Sequence, residues 1–499
     1  MKSKLRLTTL TLLGVCAIPP GFAQTPQTEL GKLPPLPDKL PASVEARVGK
    51  IEFTNGLPTQ KGIDQLWEIQ DFQRATQLYQ WAVPAVSLVG IQRALIANGA
   101  SSDTDWVIFD DFMRSGILTP TVEVAYIFST PDLEKNGPLV LEYPAGGVAG
   151  IVLDWWERPL ADYGLTGPEK GATGGKILIL GPGQKQPEGD LSGYHVVHSP
   201  TRFIWIPCRI FDRANKEKTG AQFKLYPYSQ RDNPPANKAH LATKDYIQAQ
   251  PRGMAYWEAV NEVVQRENVE DRDRFFYAML RDLGIEKGKP FQPNERTRKI
   301  LEDAALMGEE ITKLIVYEKR FIGNYYRKDA HWQFALTVDP DQREANYDEL
   351  DERSDWFYEA CGSSYAMITK TPGVGSVYLS EYRDKDGDWL DGGKNYRLRV
   401  SPNAPMKQFW ACTVYDLDTR CLIRNDKLKA EVASTTEGLQ KNADGSVDVY
   451  FGPTAPAGKE ANWVQTMSGK SWFPYFRLYA PTEAYFDHSW PLPDIEKVK

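Results

Sequence analysis

Apolar and polar positions along the chain change rhythm several times, and each change predicts a different kind of element. Over residues 60–98, Leu66, Ile69, Phe72, Leu78, Trp81 and Ala82 recur at helical spacing. Pro84 should kink or break this helix, with 86–95 resuming it. From about 106 to 213 the period falls to two. The runs 122–128, 139–143, 150–155, 176–180 and 194–198 read as short strands, and 203–207 follows them, with turns of Gly, Pro, Asn and Asp between. Strands at this spacing predict an antiparallel sandwich rather than β-α-β units.

Helical spacing returns over 243–320. Met254, Trp257, Val260 and Val264 mark one face. Phe275, Phe276, Met279, Leu280 and Leu283 mark the next, stopped by Gly284, and Asn294 can cap a third helix. An acidic stretch, 348–355, follows. Strands resume at 378–382, 396–400 and 408–415. The stretch 442–479 closes this region, turning at Asp444-Gly445 and ending a strand at Gly452-Pro453. Many short strands without a crossover helix predict a jelly-roll-like sandwich. The fold class is therefore mainly β with a helical segment. Residues 60–235 form an N-terminal helix plus β-sandwich, 236–365 a helical region, and 366–499 a C-terminal jelly roll.

The N-terminus does not belong to this pattern. Lys2, Lys4 and Arg6 precede a short apolar run, 7–18, and small residues allow a cut after Ala23. Residues 1–23 are expected to be a secretory signal peptide, making the mature protein periplasmic or secreted. Residues 24–59 are read as an extended linker, proline-rich at first. Cleavage removes three of the 59 basic residues and none of the 66 acidic ones. The remainder has 56 against 66, a net charge of −10. That balance argues against nucleic acid or an anionic membrane as partner, and no later apolar run is long enough to span a bilayer.

Four cysteines follow residue 23. Cys412 and Cys421 flank a turn at 416–419 and are a possible disulfide, the alternative being two buried thiols. No Cys-x-x-Cys occurs. The five histidines form no metal-binding motif, so no metal ligand is singled out. Zinc would have to be assembled from ligands distant in sequence. Calcium has two candidate sets: Asp384, Asp386 and Asp388, which fail the EF-hand pattern and read better as a hairpin turn, and Asp348, Asp351, Glu352 and Asp355, which read better as a solvated helix face. The loop 171–176 contains glycines and a lysine but opens a strand, so it is no phosphate loop. Gly362-Ser363-Ser364-Tyr365-Ala366 lacks the second glycine of a nucleophile elbow. Asp154, Glu157, Asp162 and Asp487 are possible glycosidase carboxylates, but only their separation in space can test that.

Several stretches carry a family resemblance. In the C-terminal region these are 387–394, Phe409-Trp410, Val414-Tyr415-Asp416, 442–453, 455–463 and Phe476-Arg477-Leu478-Tyr479. In the N-terminal region they are 137–142, Asp154-Trp155, 164–171 and 174–176, and between the two lies 284–291. The chain resembles bacterial proteins that join domain of unknown function 1254, N-terminal, to domain of unknown function 1214, C-terminal. That resemblance implies an immunoglobulin-like N-terminal sandwich, a helical segment and a C-terminal jelly roll. It implies no reaction.

Aromatics beside fixed polar groups are the remaining signal. The candidate ligand contacts are Tyr126, Asp154, Trp155, Arg202, Tyr415, Asn462, Trp463 and Arg477, a set suited to a small polar or carbohydrate-like molecule. The bland alternative is core, with Arg477 an internal strut between Tyr475 and Tyr479. Function stays open between a binding protein, a hydrolase of sugar, ester or phosphate bonds using carboxylates and possibly a divalent metal, and a structural envelope component.

Overall fold

A computed structural model describes residues 41–111, 116–167, 173–320, 323–368 and 371–498. The expected signal peptide and its cleavage site at Ala23 lie outside them. Two compact units divide the chain, the first ending at Trp67 and the second spanning Glu68–Lys499.

In the first unit the expected linker is in part a small sheet. Strands Ser43–Ala46, Gly49–Thr54 and Leu57–Pro58 pair in sequence order. Gly49 and Gly56 supply the positive φ that these tight turns need.

The helix Gln60–Ala97 runs unbroken through Pro84, so the expected break does not occur. Nearby backbone carbonyls have side-chain donors: the Tyr256 hydroxyl reaches the Tyr79 carbonyl at 2.5 Å, and Arg353 Nη2 reaches that of Trp81 at 2.5 Å. From Trp81 to Val89 the helix is buried on every face. Packing all round holds it where proline alone would not.

Two sheets form the region that follows. The six-stranded sheet has the order Ala239–Leu241, Trp106–Phe109, Ala125–Ser129, Ile204–Ile210, Val148–Asp154, Pro159–Gly164. The four-stranded sheet has the order His195–His198, Gly175–Leu180, Leu139–Tyr143, Lys224–Pro227. Pairing is mostly antiparallel, but His195–His198 lies parallel to Gly175–Leu180, and Ala239–Leu241 parallel to Trp106–Phe109. Alternation sets the two faces of the larger sheet. Ile204, Ile206, Cys208 and Ile210 join Leu139, Leu141 and Ile179 of the smaller sheet in one core cluster. Trp205 and Arg209 point the other way.

The helices Met254–Arg266, Arg274–Asp282 and Glu295–Tyr317 follow. Asn294 caps the third, its side chain accepting from the Thr297 N–H at 2.9 Å. The acidic stretch is not a solvated face. Helix Leu350–Glu359 buries Asp355 against Lys319 Nζ at 2.5 Å, while Asp348 lies at the surface with Arg272 and Arg343. A buried lysine thus matches the carboxylate that charge patterning places in water.

The last region again has two sheets. One has the order Gln333–Phe334, Ser376–Ser380, Trp472–Tyr479, Trp410–Asp416, Glu431–Ala433; the other Trp463–Gln465, Val447–Gly452, Tyr396–Val400, Glu496–Lys497. Along Trp472–Tyr479, Trp472 meets Phe451 of the smaller sheet, with ring centroids 4.7 Å apart. Phe473, Tyr475, Arg477 and Tyr479 face the other way. The architecture is therefore mixed, with many β-sheets and a helical middle. No helix among the described residues is long and apolar enough to cross a membrane.

The possible disulfide is not formed: Cys412 and Cys421 are both free and buried. Register explains it, because Cys412 stands opposite Val432 on one side and Phe476 on the other.

Candidate functional site

The outward face of the six-stranded sheet and the Arg477 face of the five-stranded sheet enclose a cavity of about 620 Å³. Trp205, Arg209, Tyr126 and Phe128 line it from the first sheet; Ser376, Tyr378, Tyr475, Arg477 and Tyr479 line it from the second. Cys361, Gly362 and Ser364 close one side. Among the described residues its only charged lining groups are the two arginines, and no carboxylate or histidine faces it.

Arg477 is fixed from behind. Its Nη1 donates to Thr413 Oγ1 at 2.8 Å and its Nη2 to the Thr119 carbonyl at 2.9 Å. Tyr378, Tyr415 and Tyr475 set their rings 5.5, 5.6 and 5.2 Å from the guanidinium carbon. Ring faces stabilise a buried cation without neutralising it. The nearest acid, Glu431, stands behind Thr413, whose hydroxyl bonds it. Burial, then the neighbouring Glu123, push the Glu431 carboxyl up to about 8, which weakens it as a counter-charge.

Arg209 has no carboxylate partner among the described residues. Its polar surroundings are the phenols of Tyr378, Tyr126 and Tyr479. Burial raises the Tyr126, Tyr475 and Tyr479 phenols above their usual value, so all three stay neutral. Tyr475 already donates to Glu359 Oε1 at 2.5 Å and Tyr479 to Thr121 Oγ1 at 3.4 Å, whereas Tyr126 accepts from the Thr121 N–H at 3.0 Å and keeps its own proton to donate. Burial likewise pushes the Cys208 thiol up to about 12 and raises that of Cys361. Neither is a thiolate nucleophile near neutral pH.

The eight residues expected to touch a ligand are not brought together. Tyr126 and Arg477 line the cavity. Tyr415 stacks behind Arg477, its hydroxyl donating to the Pro120 carbonyl at 2.8 Å. The other five lie elsewhere. Asp154 is buried against Arg158 Nε at 2.5 Å. Trp155 carries the Arg266 guanidinium 4.1 Å from its ring centroid. Arg202 pairs with Asp132 and Glu134 near the surface. Asn462 accepts from the Gln440 N–H and donates to the carbonyls of Gln440 and Asp448, each at 2.9 Å. Trp463 donates to the Gly452 carbonyl at 3.0 Å. These are internal contacts, and apart from the buried Trp155 Nε1–H, which has no partner among the described residues, they leave little side-chain hydrogen-bonding capacity for a ligand.

The possible glycosidase carboxylates also serve the scaffold. Glu157 accepts from the Gly362 N–H at 2.5 Å, and Asp162 from the N–H groups of Tyr365 and Ala366 at 3.3 and 2.9 Å. Both hold the segment that walls the cavity. Burial pushes Asp162 up to about 6. Asp487 is exposed in a turn with Ser489. At the first calcium candidate an ammonium stands among the acids, with Lys497 Nζ 3.0, 3.2 and 2.6 Å from Asp384, Asp386 and Asp388.

Arg209, Tyr378 and the 117–121 segment escape the pattern reading. Arg209 had a signal: it is the lone charge in the otherwise apolar strand Ile204–Ile210.

Comparisons with known proteins agree with the two-region layout. Residues 109–227 match the family model "Protein of unknown function (DUF1254)", and residues 375–483 match "Protein of unknown function (DUF1214)". The chain carries both domains, in that order. The cavity is lined from both, Arg209 lying in the DUF1254 match and Arg477 in the DUF1214 match. No curated protein matches the chain. The crystal structure of the VPA0106 protein from Vibrio parahaemolyticus is similar in fold, with a TM-score of 0.53 at 16% identity over 86% of this chain and 100% of that one. An uncharacterised protein from Burkholderia cenocepacia aligns with a TM-score of 0.39 at 12% identity, over 88% of this chain and 97% of that one.

Proposed function

We propose that the protein binds a small organic anion, a carboxylate carried on an apolar body, in the cavity between its DUF1254 and DUF1214 domains. One observation carries the reading: among the described residues Arg209, which faces the cavity, has no carboxylate partner, and the buried Arg477 lines the same cavity. A guanidinium offers donors only and binds carboxylates through paired N–H groups. The neutral Tyr126 phenol adds a donor, and Trp205, Phe128 and Ile151 supply apolar wall. The lining hydroxyls and Gln408 could serve a sugar too, but the two charged groups offer donors alone and therefore favour an anion over a neutral ligand. Among the described residues no carboxylate lines the cavity, and its thiols are protonated, which favours binding over hydrolysis.

With this reading go an immunoglobulin-like N-terminal sandwich, a C-terminal jelly roll, and export to the periplasm or medium after cleavage near Ala23. Mass spectrometry of the protein recovered from a bacterial host tests the last point. A thermal-shift panel tests the ligand class, because a ligand that binds only the native state raises the melting temperature. Aromatic and aliphatic monocarboxylates should raise it and neutral sugars should not. A shift with sugars and none with any carboxylate would reject the anion reading.

A further inference from the structure

Away from the cavity, three ligand-type side chains from distant parts of the chain meet. His331 precedes strand Gln333–Phe334, Glu381 follows Ser376–Ser380, and Asp494 precedes Glu496–Lys497. One ligand atom from each lies within 4.8 Å of the others. The antiparallel pairing of Gln333 with Ser380 brings the first two to one place, and the C-terminal segment delivers the third.

The charges here do not balance. Glu381 is fully buried and has no lysine or arginine partner among the described residues. Its two oxygens share one backbone donor, the Ile495 N–H, at 3.3 and 3.2 Å. A carboxylate offers about four lone-pair sites, so most of this one's capacity is unused. Its neighbour is a second carboxylate, Asp494, which bonds the backbone N–H and Nδ1 of His331, each at 2.7 Å. The nearby Lys497 ammonium is already shared among Asp384, Asp386 and Asp388. Two adjacent buried carboxylates need either a shared proton or a cation between them.

We propose that His331, Glu381 and Asp494 bind one divalent transition-metal ion of the zinc class, tying the C-terminal segment to the five-stranded sheet. One imidazole and two carboxylates are ordinary zinc donors, and such an ion would replace the shared proton. His331 is partly exposed, which gives the ion a way in. The chemistry separates this place from the Lys497 cluster, where a fixed ammonium already stands among the acids.

The test uses the full chain, stripped with chelator and titrated with Zn²⁺ by calorimetry. Co²⁺ absorption serves as a second readout of nitrogen–oxygen ligation. One ion per chain and a raised melting temperature are expected. His331→Ala and Glu381→Gln should each weaken binding by at least about tenfold, since changing even a partner one layer outside a metal's ligands costs about that much. Circular dichroism checks that both variants fold, and the wild-type Co²⁺ spectrum tests the site without any substitution. The proposal fails if the wild type binds neither ion. It fails equally if binding survives both substitutions, or is lost instead in Glu344→Gln within the separate cluster of Asp339, Glu344 and Glu349.

Discussion

Two buried arginine sites in this molecule solve the same problem in opposite ways. Arg158 is matched on both sides: its Nε meets Asp154 at 2.5 Å, and its Nη2 and Nη1 meet Glu270 at 2.5 and 3.1 Å. Arg209 and Arg477 face a cavity, and no carboxylate lines it among the described residues. The first arrangement is complete as it stands and reads as a strut joining strand Val148–Asp154 to the helical region. The second leaves cationic donors aimed at space large enough for a small molecule. Burial alone does not separate the two, since both sites are largely hidden from solvent. What separates them is whether the protein supplies the counter-charge itself.

The largest effect should come from breaking the matched site. Arg158→Ala strands two partly or fully buried carboxylates and should cost about 3–5 kcal/mol of stability in chemical denaturation. If the loss is small, the strut reading is wrong. Asn462→Ala comes next, because it removes three hydrogen bonds that a buried side chain makes to backbone groups of Gln440 and Asp448. A loss of about 2–3 kcal/mol is expected, with carboxylate affinity unchanged. Reduced affinity with unchanged stability would return Asn462 to the ligand site.

Arg209→Gln should behave in the reverse sense. Stability should hold or rise, since a buried charge without a carboxylate is removed, while carboxylate affinity falls by about tenfold to a hundredfold, the worth of a charged hydrogen bond. Calorimetry and thermal melts on the same sample read both.

The mildest test is pH. Burial raises Asp162 to about 6 and Glu431 to about 8, and it also lifts Glu359 and Glu267 to about 7. An acid whose pKa is higher folded than unfolded binds more protons when folded. Its contribution is then fully present below the unfolded value, near 4, and declines as pH rises through the folded value. The melting temperature should therefore fall from about pH 5 to about pH 8. A rise over that range would mean that these carboxyls are paired more strongly than their burial implies.

Much of the fold is legible in the chain. Alternation finds Leu139–Tyr143, Val148–Asp154, Tyr396–Val400 and Trp410–Asp416 to within a few residues, because each buries one face or both. Asn294 announces its helix by capping chemistry. Pro84 misleads, since local preference says break while the buried surroundings hold the helix. The parallel pairing of Ala239–Leu241 with Trp106–Phe109 is hidden because it joins segments distant in sequence. The site is only half legible. Tyr126 and Arg477 stand out beside other aromatics and do reach the cavity. Asp154, Arg202 and Asn462 stand out equally, and what assigns them to struts is a partner from elsewhere in the chain: Arg158 and Glu270, Asp132, or Gln440. Arg209 is the converse case, since a single charge in an apolar strand becomes meaningful only once the facing sheet is known to bring no acid to the cavity wall among the described residues.

The central claim concerns an anion held by unmatched arginines. Its most direct test is calorimetric affinity for one monocarboxylate and for its primary amide, an uncharged near-isostere, with the wild type and Arg209→Gln. The wild type should prefer the carboxylate by about tenfold or more, and Arg209→Gln should largely erase the preference. Equal binding of acid and amide by the wild type, or a preference that survives the substitution, would contradict the anion reading.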